Sequence, residues 1–376
     1  MDSHSDRVLS RRTFARDLLV ASAASAIPAV AAPQMVNSDK PVTIPQSGWI
    51  TDVEGITVGH WKDTRRPTGC TVILCEPAGT CGVDVRGGWP GTRLTDALDP
   101  VKGASNTIFV NAIALSGGSN YGLATASGVE QFLRERYVQK LGADAKNKPI
   151  AFAVPAAIIY DLHPELGDWT IAPTAESGYK ACLAAAGGPV QEGNYGVGAG
   201  VTVGKMFGIK QAMKSGVGTS SIRVGSTGVV VGAIAAVNAV GDIVNPSDGE
   251  IIAGARTEDG KNFVNEMKQL RSGKGVRPSE SNTTIAVVAT NATFNKTEMN
   301  KIAQMASAGL ARAINPVFTT LDGDTVFAIS TRRSTERVEV GAIGAVAAEA
   351  LAEAILRAVI YTERFESFPS YRDLRE

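Results

Sequence analysis

RPSESNTTIAVVATNA (Arg277–Ala292) changes character at a single bond. Up to Asn282 it is polar, with no apolar period. From Thr283 it runs Thr-Thr-Ile-Ala-Val-Val-Ala-Thr, rich in the β-branched residues that favour strands. The junction therefore predicts a polar surface stretch, Arg256 to Asn282, that drops directly into a buried strand. Downstream the spacing predicts an amphipathic helix over Lys296 to Asn315, a strand over Thr325 to Thr331 and a long Ala-rich helix over Val340 to Glu363. Upstream, Ile222 to Val244 contains few charges and reads as two central strands.

Nearer the N-terminus, Trp49 to His60 and Gly69 to Cys75 read as a hairpin-like strand pair. A strand, a Gly-Gly-Ser loop and a helix over about 121–137 follow, then a strand-like run in PIAFAVPAAIIYDL. A helix closed by Gly187 and a Gly-laced strand ending at Lys205 complete this half. Strands and helices mix without strict βαβ alternation, which predicts α/β or α+β layers in one structural unit, with helices over a stacked sheet pair.

Composition narrows the function. The 376 residues carry 37 Lys+Arg against 37 Asp+Glu, so no excess charge exists to hold nucleic acid or anionic lipid. Three histidines, none at helix-face spacing from another, argue against a metal site. Cys70, Cys75, Cys81 and Cys182 lie among apolar residues without a C-x-x-C pair and read as buried free thiols. No cofactor is implied.

Residues 1–31 read as an export signal. Arg11-Arg12 precede Phe14 and Leu18-Leu19, and an Ala/Ser run ends in small residues at Ala29-Val30-Ala31. The apolar run is about fifteen residues and contains Pro28, short of the roughly twenty that a membrane span needs. A twin-arginine signal is expected, with a periplasmic or secreted mature protein that has no membrane segment.

Familiar catalytic motifs fail in detail. Val224 breaks the G-x-S-x-G turn in VGSTG, and no histidine lies downstream to act as base. Ala199 and Met206 break the phosphate-loop pattern in GAGVTVGKM. Ser177 and Lys180 match S-x-x-K without its companion motifs and read as a helix face.

A threonine at the head of a buried strand needs no histidine if its own α-amine is free. That amine titrates at about 7.7–8.0 and can take the hydroxyl proton. Cleavage between Asn282 and Thr283 creates it: the Thr283 hydroxyl attacks the Asn282 carbonyl, the acyl group shifts from nitrogen to oxygen, and water hydrolyses the ester. Asn-Thr dipeptides are common, and read from the dipeptide alone the junction is an ordinary loop entering a strand.

Six separated blocks carry a resemblance. ITDVEGITVGHW, GGSNYGLATASGV, GNYGVGAGVTVGK, AAVNAVGDIVNP, NTTIAVVATNA and LDGDTVFAIST span about Trp49 to Arg364. In order and character they resemble the self-processing aminopeptidase family of L-aminopeptidase/D-esterases, β-peptidyl aminopeptidases and nylon oligomer hydrolases. The resemblance implies a four-layer αββα sandwich like that of the N-terminal nucleophile hydrolases, with the family's own strand order. It also implies an α chain (32–282) and a β chain (283–376), separated by self-cleavage at Asn282-Thr283 but forming one structural domain. A homo-oligomer of αβ units, a tetramer, is expected on the same ground.

Carried over by position, Thr283 resembles the nucleophile, Asn238 the oxyanion donor and Tyr160 its companion. Asp322 and Asp324 resemble the carboxylates that hold the Thr283 amine and a substrate ammonium. Lys205 resembles the lysine beside the nucleophile of the nylon oligomer hydrolases. Ser116, Gly117, Gly118 and Ser119 are expected to line the substrate pocket. Many family aminopeptidases have a serine nucleophile and a Ser-x-Glu pair, so Thr283 with Asp322-Gly323-Asp324 stands nearer the nylon oligomer branch. The substrates implied are short peptides, amino-acid amides or esters, or β-peptides, attacked from a free amino end. ω-Amino-acid oligomers cleaved internally are the alternative, and a peptide-binding protein without chemistry is the rival outside enzymes.

Overall fold

The computed structural model describes residues 47–102, 109–273 and 282–375. The expected export signal and residues 274–281 of the polar stretch lie outside them.

Among the described residues, fourteen strands and five α-helices follow one another. The first half holds β1 (Ile56–Lys62), β2 (Gly69–Val85), β3 (Thr92–Arg93), β4 (Phe109–Ser116), α1 (Thr125–Leu141), β5 (Ala156–Ile158) and α2 (Ala175–Leu183). After them come β6 (Thr202–Val203), β7 (Met213–Lys214), β8 (Val217–Arg223), β9 (Val230–Asn238), β10 (Asp242–Val244), β11 (Ile251–Ala253) and α3 (Glu266–Arg271). The last third holds β12 (Thr283–Thr290), α4 (Lys296–Ala313), β13 (Ile314–Asn315), β14 (Thr325–Ser330) and α5 (Val340–Ile360).

The main sheet runs β3-β5-β4-β2-β14-β12-β9-β8, with β1 beside β2. The long β2 serves two sheet halves: Gly69 to Cys75 pairs with β1, and Thr80 to Val85 pairs with β14. Its register against β4 shifts between Leu74 and Gly79, where the halves diverge.

Period-two alternation then builds four layers. On β12, Ile285, Val287 and Ala289 join Ile73, Ile113 and Leu115 of the opposite half in an inter-sheet core. The intervening Ala286 and Val288 face α4 and α5 through Ile302, Leu310, Leu351 and Ile355. On β2 and β4, Val72, Leu74, Ala112 and Ala114 face α1 and α2 through Val129, Ala181 and Cys182. The αββα sandwich follows from strands apolar on both faces, each face covered by a different layer.

Three local readings differ. GNYGVGAGVTV is mostly a 3-10 turn over Gly196–Gly200 followed by the short β6, because Gly196 sits at φ +50° against the Thr71 and His60 side chains. PIAFAVPAAIIYDL yields only the three residues of β5. Residues 256–273 are not a solvated tail: Arg256 N–H donates to the Gln211 carbonyl (2.9 Å), and Glu266 at the start of α3 is fully buried. The four cysteines are free and buried as expected.

Candidate active site

Strand β12 begins at the site. Its first residue, Thr283, is 2% exposed and stands opposite Asn238, the last residue of antiparallel β9. The Thr283 hydroxyl donates to the carbonyl of Asn282, the residue before it. The Asn282 peptide is clasped by the turn that leads into parallel β14. Asn282 N–H donates to the Leu321 carbonyl (2.9 Å), and Gly323 N–H donates to the Asn282 carbonyl (2.8 Å).

Both carboxylates of that turn point inward and are buried. Asp322 accepts from Val240 N–H (3.3 Å) and from Thr319 N–H and Oγ1 (3.2 and 2.5 Å). Asp324 accepts from Thr284 N–H (2.6 Å), the amide next along from Thr283, and from Phe318 N–H (3.1 Å). Burial raises both pKa values, and the neighbouring Asp322 helps push Asp324 to about 8.

Lys205 is fully buried. Its Nζ donates to the Asn238 carbonyl (3.0 Å) and to Asn238 Oδ1 (2.7 Å). Burial lowers its pKa to about 7 against the opposing pull of Asp322, Glu266, Asp161 and Asp324. Asn238 Oδ1 also accepts from Thr202 N–H (3.1 Å), while its Nδ2 donates to the Tyr160 carbonyl (2.9 Å). The Tyr160 ring packs edge-on against His163, with centroids 5.1 Å apart.

Ser116 to Ser119 join this network at one remove. Gly118 N–H donates to Asp161 Oδ1 (2.8 Å), and Ser119 N–H to the Ile159 carbonyl (3.0 Å), so the loop is fixed to the segment carrying Tyr160. Asp161 is in turn held by Thr68 Oγ1 (2.7 Å) and by the fully buried Arg66 (2.7 Å).

The structure thus gathers Thr283, Asn238, Lys205, Asp322, Asp324 and the Tyr160 carbonyl into one connected cluster. Sequence reasoning missed the pair Arg66 and Asp161, the Gly323 amide, and a second acidic pair. In that pair, Glu266 Oε1 accepts from Met206 N–H (3.0 Å), beside Lys205, and Asp242 Oδ2 accepts from Glu266 N–H (2.9 Å). Asp161 adjoins Tyr160 in the chain and was within reach. Glu266 sits in a polar stretch without period, and no local signal singles it out. Among the described residues no group of three His, Cys, Asp or Glu is placed to hold a metal ion.

A buried central strand opening on a hydroxyl residue at the heart of four αββα layers is the architecture of the N-terminal nucleophile hydrolases. The chain belongs to peptidase family S58, whose model matches residues 48–371. It is 40% identical to an uncharacterized aminopeptidase of Mycobacterium bovis, covering 86% of this chain and 97% of the relative. A 6-aminohexanoate-oligomer endohydrolase of Agromyces is 29% identical, covering 82% and 84% respectively. Among solved structures, a Burkholderia β-aminopeptidase superposes with TM-score 0.61 at 22% identity, covering 88% of this chain and 90% of that one. The L-aminopeptidase D-Ala-esterase/amidase of Ochrobactrum anthropi, described as a variant of the Ntn hydrolase fold, superposes with TM-score 0.60 at 21% identity, covering 86% and 89%. The chain is an enzyme of the self-processing amide-hydrolase and aminopeptidase class.

Proposed function

We propose that Thr283 cuts its own chain and then serves as the catalytic nucleophile of an exported aminopeptidase. The observation that carries this reading is the Thr283 hydroxyl lying on the Asn282 carbonyl at the head of a buried strand. Attack forms an ester between Thr283 Oγ and Asn282 and breaks the peptide C–N bond. Water then releases the Asn282 carboxylate and leaves Thr283 with a free α-amine.

In turnover that amine takes the Oγ proton as Oγ attacks a substrate carbonyl. The leaving amine departs protonated, and water hydrolyses the acyl-Thr283 ester. Asn238 would turn its amide to the substrate oxyanion, with Tyr160 beside it. Asp322 and Asp324 would hold the Thr283 amine and a substrate ammonium, and Lys205 would keep Asn238 in place. Ser116 to Ser119 would line the acyl pocket.

Short peptides, amino-acid amides or esters, and β-peptides with a free amino end are the proposed substrates, in keeping with the 40%-identical aminopeptidase relatives. Internal cleavage of ω-amino-acid oligomers is the second reading, supported by similarity to the 6-aminohexanoate-oligomer endohydrolases. The mature form would be a periplasmic or secreted tetramer of αβ units without residues 1–31.

Intact mass of the denatured parent beside Thr283→Ala tests the first step. Two fragments split at Asn282-Thr283 in the parent and one chain in the variant are expected; an uncut parent sinks the mechanism. An unblocked and an acetyl-blocked oligomer then separate the substrates: hydrolysis of the unblocked one alone identifies an aminopeptidase.

A further inference from the structure

The carbonyl oxygen of Asn282 is the atom on which negative charge must develop during self-cleavage. We infer that the main-chain N–H of Gly323 is the oxyanion donor for that step. The inference rests on the reading of Thr283 as the attacking group. Gly323 N lies 2.8 Å from the Asn282 oxygen, within the roughly 2.7–3.1 Å that oxyanion donors occupy. Asn238, the expected side-chain donor, is committed elsewhere in the uncut chain, with Nδ2 on the Tyr160 carbonyl and Oδ1 under Lys205 and Thr202.

The donor is preorganised. Asn282 N–H is fixed on the Leu321 carbonyl (2.9 Å), so two parallel bonds orient the scissile residue. Behind the turn, Arg86 N–H donates to the Asp324 carbonyl (3.0 Å), and Trp89 N–H to the Asp322 carbonyl (2.8 Å). A donor held by its own scaffold need not reorganise as charge develops, which is where such groups gain their effect. Space explains the glycine: a Cβ at position 323 would stand 2.8 Å from Thr283 Oγ and 2.5 Å from the Trp89 carbonyl.

In the step itself, a bond forms between Thr283 Oγ and the Asn282 carbon as the π pair moves to the oxygen facing Gly323 N–H. Collapse restores the carbonyl and breaks the C–N bond. The hydroxyl proton ends on the Thr283 nitrogen, so the products are an ester and a free amine.

Glycolic acid incorporated at position 323 by cell-free translation replaces this N–H with an ester oxygen and adds no side chain. Precursor cleavage followed by intact mass should slow about 10²–10³-fold, the usual loss for one oxyanion donor, with a melting transition like that of Thr283→Ala. Cleavage at the parental rate overturns the inference. Cleavage of Thr283→Ala at the same bond would instead overturn the reading beneath it. Hydrogen exchange provides a check that does not require the ester protein to fold. In uncut Thr283→Ala the Gly323 amide should be protected and should become faster-exchanging in the cut parent. An unprotected Gly323 amide in the uncut chain overturns the inference.

Discussion

Lys205 brings a charge into the interior, and its position shows what the cluster is built to resist. An ammonium removed from water is costly unless hydrogen-bonded and matched by opposite charge. Here Asn238 supplies both of its oxygens and the surrounding carboxylates supply the field. Asn238→Ala leaves the Tyr160 carbonyl without its Nδ2 donor and strips one acceptor from Lys205. We expect a loss of about 1–3 kcal/mol for the buried hydrogen bonds removed, read as a lower melting temperature, together with slow self-cleavage by intact mass. The acidic side of the cluster has a pH signature. Asp324 has a folded pKa of about 8, above its ordinary 3.8, so the folded state binds the extra proton in between. Its contribution to stability is full below about 4 and is lost as pH rises towards 8. His60 and His163, lowered by burial to about 4 and 3, act in the opposite direction as pH rises towards 6.5. Comparison of Thr283→Ala with Thr283→Ala/Asp324→Asn cancels the histidines. The melting temperature of the double variant relative to the single should rise from pH 5 to pH 8; a constant difference would contradict the burial of a titrating Asp324. Thr283, Asn238 and the Asp-Gly-Asp turn were legible because they sit in recognisable blocks. Glu266 and Arg66 were not, because their partners Met206 and Asp161 lie far along the chain and only folding brings them together.

The elements holding this cluster meet through missing side chains. Helix α5 lies directly on β8: a Cβ at Gly218 would stand 2.2 Å from both the Ala354 carbonyl oxygen and the Ala358 nitrogen. Helices α1 and α2 cross the same way, with Gly178 against the Thr125 carbonyl at 2.1 Å. Forty glycines in the chain are thus partly a packing device, and Gly218 needs glycine for space, since its φ is not among the positive values. Gly218→Val should lower the melting temperature by an amount equivalent to about 1–3 kcal/mol or more, the cost of overpacking. Gly187→Ala, where a Cβ meets nothing within 4 Å, should leave it unchanged or slightly raised; equal losses at both sites would refute the close-contact account. The long helices and β-branched strands were readable from their period, and α4, α5, β12 and β14 fall close to expectation. The Gly-laced turn at Gly196–Gly200 was not, because glycine and valine alternate there as they would in a strand and only the contact with β1 and β2 decides against it.

Across the whole molecule, cleavage at Asn282-Thr283 would cut a chain that the sheet holds on both sides. Strand β12 pairs along its full length with β9, which precedes the cut, and β14 pairs with β2, which also precedes it. The β chain would contribute β12, β14, α4 and α5 to cores whose other faces come from β8, β9, β2 and β4. Neither piece could keep its apolar strand faces covered alone, and removal of one would expose sheet edges as well as core. The cut protein should therefore elute from native size exclusion as one species containing both chains and separate only under denaturant. Residues 283–376 expressed alone should be insoluble or unfolded, since β12 would lose its β9 neighbour and β14 its β2 neighbour. A soluble, folded 283–376 fragment, or fragments that part in native buffer, would show that the junction is not internal to a shared sheet. The layered core would then have to be divided differently between the two chains.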